Sequence, residues 1–275
     1  MLFLKRIIDF YIDSSIHVAL AAYAMLWVSL LNFHIPYIEA LGYVVFCTTV
    51  VGYNFIKYGT TARRYFIVPS RYIKIIQIFS FLCFGVAVFY AFQLRLLTLV
   101  IVALTSALTG LYALPFLPGR KSFRSLHGIK IYVVAFCWSL MTVILPVVEW
   151  GFWASNNAVI VEFIQRFLFV LVLMLPFDIR DLKYDKLSLG TIPQKIGING
   201  TKWLGIITLI VFYFLSFVKD GITLEMVFAN ATIIVIASLF VFFSNEDRSK
   251  YYSTFFVESI PIVWLFVLLF FRDSL

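Results

Sequence analysis

Residues 158–185 read Ala-Val-Ile-Val-Glu-Phe-Ile-Gln-Arg-Phe-Leu-Phe-Val-Leu-Val-Leu-Met-Leu-Pro-Phe-Asp-Ile-Arg-Asp-Leu-Lys-Tyr-Asp. Residues 158–177 are almost wholly apolar and long enough to cross about 30 Å of hydrocarbon as one helix. The polar end begins abruptly at Asp178. A helix that is apolar on most of its faces and ends in charge belongs in a bilayer. The rest of the 275-residue chain agrees: 63 % of its residues are hydrophobic and 13 % charged, whereas soluble domains are roughly 45–50 % apolar. A soluble fold of this size cannot hide that much apolar surface, so the excess faces lipid.

The same criterion finds runs near 16–33, 38–56, 74–92, 96–114, 131–149, 158–177, 203–218, 223–243 and 255–271. These predict about nine transmembrane helices in a single domain spanning residues 1–275, an all-α polytopic integral membrane bundle. No strand-like alternation is sustained, which disfavours a barrel. The net charge of +8 is scattered in short clusters between apolar runs. That pattern fits loops at an anionic membrane surface and not nucleic acid. With the N-terminus inside, the inner loops collect eighteen lysines and arginines, and the outer side holds only Arg95, Lys219 and Arg272. This predicts a cytoplasmic N-terminus in an inner (plasma) membrane. Residues 1–14 read as an interfacial amphipathic helix or the solvated start of the first span, and a cleaved signal peptide is not expected. Cys47, Cys83 and Cys137 stand singly in apolar runs and read as packing residues. His17, His34 and His127 lie on different segments and predict no histidine metal site.

Asp178, Asp181 and Asp185 fall at i, i+3 and i+7, on one helical stripe at the predicted cytoplasmic end of the sixth span. Three carboxylates on one stripe repel one another unless a cation neutralises them. Hard oxygen ligands of this kind suit Mg²⁺ shared between protein and a substrate phosphate. The same acids also read as a solvated helix end balanced by Arg180, Lys183 and Lys186.

Next comes Leu187-Ser-Leu-Gly-Thr191-Ile-Pro193-Gln-Lys195-Ile-Gly197. Together with the acids, this resembles the second conserved loop of the UbiA superfamily of intramembrane prenyltransferases: an aspartate-rich helix end, a Thr-Leu-Pro-like turn, a basic residue and a glycine. Tyr112-Ala-Leu-Pro115-Phe-Leu-Pro, a basic loop and Gly128-Ile-Lys130 look like the loop after that family's fourth span. The resemblance implies a UbiA-like bundle with nine spans and an inside N-terminus. It also implies two aspartate-rich motifs on opposing helices, whose Mg²⁺ grips the diphosphate of a polyprenyl donor. The donor's tail would lie among the helices, and its prenyl group would pass to an acceptor. On that basis Asp178, Asp181 and Asp185 would ligate Mg²⁺, and Tyr112 and Lys195 would line the substrate pocket. No protein partner is implied.

One departure stands out. The family's first motif runs Asn-Asp-x-x-Asp-x-x-x-Asp. This chain has Asn54-Phe55-Ile56-Lys57-Tyr58-Gly59-Thr60-Thr61-Ala62, so the three acids are absent. Either Lys57, with Arg63 or Arg64, contacts the diphosphate directly and Asn54 orients it, or the fold serves lipid binding or an accessory role without catalysis. Lys57 also reads as an ordinary anchor at the inner membrane surface. Within the spans, Glu162 and Arg166 form an i, i+4 pair, and Asn230 and Glu258 are further polar residues. A proton-coupled transporter would more typically show unpaired midplane acids and interrupted helices, so transport ranks last.

Overall fold

The computed structural model describes residues 2–58, 70–114, 128–151, 156–185 and 189–274. Arg63, Arg64, residues 115–127 with their prolines and basic cluster, and Lys186 therefore lie outside the described residues. The described chain is helical: α1 Leu2–Asp13, α2 Ile16–Asn32, α3 Glu39–Tyr58, α4 Arg71–Ala91, α5 Leu96–Ala113, α6 Lys130–Ser139, α7 Leu145–Trp150, α8 Asn156–Asp181, α9 Ile192–Leu215, α10 Leu224–Phe242 and α11 Glu258–Ser274. A π-helical turn, Leu140–Ile144, joins α6 to α7 into one span, and another, Tyr252–Val257, leads into α11. Among the described residues eight helices are long and apolar enough to cross a membrane, and the bent pair α1–α2 makes nine. This is the polytopic bundle expected from the apolar runs.

α8 is the axis of the bundle. In its span 56 % of residues are buried, against 17 % in α4. α8 packs on α6, α9 and α10, α2 on α3 and α11, and α3 on α4. The core beside α8 centres on Phe169, Phe212 and Trp264, with ring centroids 4.9–5.7 Å apart. α4 turns Phe81, Leu82, Phe84 and Phe89 outward, as expected of a span that faces lipid. Helices in lipid gain little from hydrophobic burial against one another, so close packing and interhelical polar contacts must hold them.

One buried cluster of polar contacts centres on Glu162. Glu162 accepts from Arg166 at 2.9 Å and from Lys219 at 2.6 Å, and from the Asn32 amide at 3.1 and 3.2 Å. The Arg166 guanidinium also donates to the Met25 carbonyl at 2.7 Å, to Ser29 Oγ at 3.0 Å and to Thr142 Oγ1 at 3.2 Å. It lies 5.1 Å from the Trp264 ring centroid. The i, i+4 pair expected from sequence is therefore part of a larger knot. It ties α2, α8, the π turn after α6 and the end of the α9 span.

The break between α1 and α2 is a second polar knot. Ser15 adopts a left-handed conformation, φ 64°, and the chain bends by 58°. The bend strands the last carbonyls of α1, which need donors in a setting with little water.

Two glycines mark bends where the backbone takes a left-handed conformation. The seventh span begins at Ile192, well before the expected start at 203, because the Gln194 side chain accepts from the Thr191 amide at 3.0 Å and Pro193 opens the helix. Gly197 then kinks it at φ 72° with open space around its Cα. Gly197→Ala would lower stability by about 1 kcal/mol from backbone strain alone. Gly197→Asn, which tolerates left-handed backbone better, would lower it less. Thermal unfolding in nanodiscs checks both. At the opposite end of the bundle Gly151 stands at φ 72°, and a Cβ there would collide with the Arg95 guanidinium.

Candidate functional site

The ends of α3, α5 and α8 and the starts of α6, α9 and α11 meet at the end of the bundle that carries most of the basic residues. The Gly128 amide donates to the Leu189 carbonyl at 2.8 Å. That bond joins the loop before α6 to the loop between α8 and α9, so the two segments singled out in the sequence lie side by side. Gly128 takes φ 68°, and Lys195 Nζ sits close beside its Cα. A narrow cleft between the loops is lined by Gly128, Lys130, Asp178, Leu189 and Thr191.

Each sequence-predicted site residue has a definite place there. Asp178 is 2 % exposed and accepts from Lys130 Nζ at 3.1 Å. Asp181 accepts from the neighbouring Arg180 Nε at 2.7 Å. The Asp185 amide bonds the Asp181 carbonyl, and Asp185 Oδ2 is buried with no partner among the described residues. Tyr112 is buried at the end of α5. Lys195 is exposed on the first turn of α9. Arg180 reaches across to the Lys250 carbonyl at 3.4 Å. Lys183 bonds Asp247 at 2.6 Å, which holds the Asp247 carboxyl below its usual range. Because its folded-state value is lowered, that contribution is present at neutral pH and is lost as pH falls through the carboxylate range. Both partners are exposed, so the effect is small.

Mg²⁺ asks for several convergent oxygens in near-octahedral array. Asp178 and Asp181 each already hold a cation of the chain. Among the described residues no three of the His, Cys, Asp and Glu side chains converge on a common point. Asp185 alone offers an open buried oxygen. In this arrangement the trio does not fit a resident Mg²⁺.

The segment in the place of the first aspartate motif does something else. Asn54, Lys57 and Tyr58 lie at i, i+3 and i+4 on one face of α3, and all three turn to the α1–α2 break. The Asn54 amide donates to the Ser14 carbonyl at 3.0 Å and to Ser80 Oγ at 2.8 Å, and accepts from Ser15 Oγ at 2.7 Å. Lys57 Nζ donates to the Ile12 carbonyl at 3.0 Å and to Ser15 Oγ at 2.9 Å. Tyr58 donates to the Asp13 carbonyl at 3.1 Å. Three consecutive carbonyls at the end of α1 thus receive three side chains from α3. A metal-binding aspartate at position 58 would offer them no proton.

This architecture matches solved structures along its whole length. A UbiA homolog from Aeropyrum pernix K1 superposes over 94 % of this chain and 99 % of its own, with a TM-score of 0.67 at 16 % sequence identity. This chain has the UbiA fold. A digeranylgeranylglyceryl phosphate synthase also matches, over the full length of both chains, with a TM-score of 0.58 and 16 % identity. No family model matches the sequence, and no curated protein does. The protein is therefore an integral, multi-pass membrane protein with the UbiA fold, and the likeness is one of architecture.

Sequence reasoning missed the partner of Asp178 and the carbonyl-capping role of Asn54 and Lys57. It also missed a chamber deeper in the UbiA bundle, bordered by Tyr53 and Trp138. Nothing in the linear pattern flags that chamber, because its walls come from five separate segments.

Proposed function

We propose that this protein binds a polyprenyl diphosphate, with the diphosphate at the cytoplasmic mouth and the prenyl chain among the helices. The observation that supports this reading is the joining of the two loop segments by the Gly128–Leu189 bond. It brings Lys130 and Lys195 to one cleft in a UbiA fold. Guanidinium and ammonium groups are direct ligands for phosphate oxygens. Lys130 is held now by Asp178, so a diphosphate would compete with this carboxylate for a cation already in place. The prenyl chain meets the apolar side chains that make up most of the protein.

Prenyl transfer to an acceptor with Mg²⁺ is the second reading. Asp185 Oδ2, buried without a partner, is the feature that favours it. It requires Asp178 and Asp181 to exchange Lys130 and Arg180 for the metal. Binding of farnesyl diphosphate to the full chain in nanodiscs, with EDTA and with Mg²⁺, separates the two. Under the primary reading binding persists in EDTA, and Lys130→Met weakens it about tenfold, the size of one lost charge-assisted contact. Binding that appears only with Mg²⁺, disappears in the Asp181→Ala/Asp185→Ala double variant and is accompanied by diphosphate release would establish the second. No binding under either condition would refute both.

A further inference from the structure

The chamber lies below the mouth, between α2, α3, α6, α8 and the start of α11, and its walls include Val18, Tyr53, Trp138, Met174, Phe177 and Glu258. Its free volume is about 30 Å³, room for about two water-sized groups. Most of the lining is aliphatic, and Glu258 contributes the one carboxylate. Among the described residues Glu258 makes no hydrogen bond or ion pair. The charged groups whose field reaches it are Lys57 and Arg180, on α3 and α8. The Tyr53 hydroxyl accepts from Trp138 Nε1 at 2.9 Å, which leaves its own proton without an acceptor among the described residues. A carboxyl group left unpaired in a helical bundle is costly, and such groups are held where a ligand satisfies them.

The backbone is built to hold it there. The π turn Tyr252–Val257 ends directly at Glu258, and the π turn Leu140–Ile144 begins two residues after Trp138. An extra residue in a helical turn rotates the downstream helix by about 100°, and such turns recur at functional sites. The Phe255 carbonyl inside the first of these turns is bonded by His17 Nε2 at 2.8 Å and by Ser259 Oγ at 2.6 Å. The irregular turn is therefore stabilised from two sides, and it leaves Glu258 facing the chamber.

We infer that this chamber binds the hydroxyl end of an apolar alcohol, with Glu258 as its hydrogen-bond partner and Tyr53 as donor to the same oxygen. A hydroxyl both gives and accepts a hydrogen bond, so it suits a carboxylate, a carboxylic acid and the Tyr53 O–H alike. A ketone can only accept, and an ether oxygen accepts from Tyr53 without satisfying Glu258. The aliphatic lining and the flexible Met174 suit the methylene next to the hydroxyl. The inference goes beyond diphosphate binding at the mouth and does not depend on it.

The test uses the full chain in nanodiscs with 1-decanol, 2-decanone and decyl methyl ether at equal mole fraction in the bilayer. The readout is the shift in unfolding temperature relative to Glu258→Met, which reports and subtracts the general effect of each additive on the membrane. Decanol is expected to stabilise the wild type with an apparent affinity at least about tenfold above ketone and ether, the scale of one charge-assisted hydrogen bond. Glu258→Met is expected to abolish the preference, and Tyr53→Phe to reduce it. Equal effects of the three additives on the wild type, meaning that water alone fills the chamber, would overturn the inference. So would a decanol preference that survives in Glu258→Met. A cooperative thermal transition of Glu258→Met without additive shows that the variant is folded. If that transition is absent, Tyr53→Phe alone decides, and an unchanged decanol preference there overturns the inference.

Discussion

Glu162→Gln is expected to lower stability by about 3–5 kcal/mol, the usual penalty for breaking a buried ion pair from one side. The glutamate is 2 % exposed and is the shared counter-charge for Arg166 and Lys219. An amide in its place leaves two cations facing each other in the bundle with no anion between them. The damage comes from the stranded charges and not from lost packing, since Gln has almost the same shape. Removing a cation as well should therefore restore part of the loss: Glu162→Gln with Arg166→Met is expected to unfold later than Glu162→Gln alone. Thermal unfolding in nanodiscs, followed by near-ultraviolet dichroism of the tryptophans, reads this directly because Arg166 lies against Trp264. A Glu162→Gln protein as stable as wild type would show that the cluster does not hold these helices together.

The second large effect is expected at the bend between α1 and α2. Asn54→Leu removes three hydrogen bonds at once, to Ser14, Ser15 and Ser80. At about 1 kcal/mol each, with a further penalty for buried groups left unsatisfied, the loss is about 3 kcal/mol. The fault should appear locally first, as faster amide exchange over residues 12–16, because the Ser14 carbonyl loses its donor. At a temperature where the variant stays folded, its affinity for farnesyl diphosphate is expected to stay within about twofold of wild type, since Asn54 bonds the α1–α2 break and Ser80 and does not line the cleft. A large loss of that affinity without faster exchange would return Asn54 to the ligand site that the family resemblance implies.

These two clusters show where linear reading stops. The Glu162–Arg166 pair is legible because i and i+4 meet on any helix. Lys219, fifty-three residues after Arg166, reads as a stray loop charge until α8 and the end of the α9 span are packed together. Likewise Asn54 is visible as a surviving element of a family motif, and Lys57 as a phosphate contact or a surface anchor. Their actual main-chain partners are the carbonyls of Ser14 and Ile12, some forty residues upstream, which α3 reaches where the chain bends at Ser15. The aspartate trio is legible as a stripe, but its pairing with Lys130 and Arg180 depends on how the loops close.

Composition and periodicity alone determine that this chain lives in a bilayer as a bundle of about nine helices, because only an unbroken internal hydrogen-bond ladder satisfies the backbone in hydrocarbon. The order of apolar runs and the bias of basic loops likewise set which segments share an end of the bundle. What the tertiary structure decided is which polar groups face one another. It converted the altered first motif into caps for a helix break, gave Asp178 and Asp181 cations of the chain's own, and left Glu258 facing an apolar chamber. The physical reason is that a buried charge or carbonyl must find a partner within about 3 Å, and such proximity arises from packing between segments far apart along the chain.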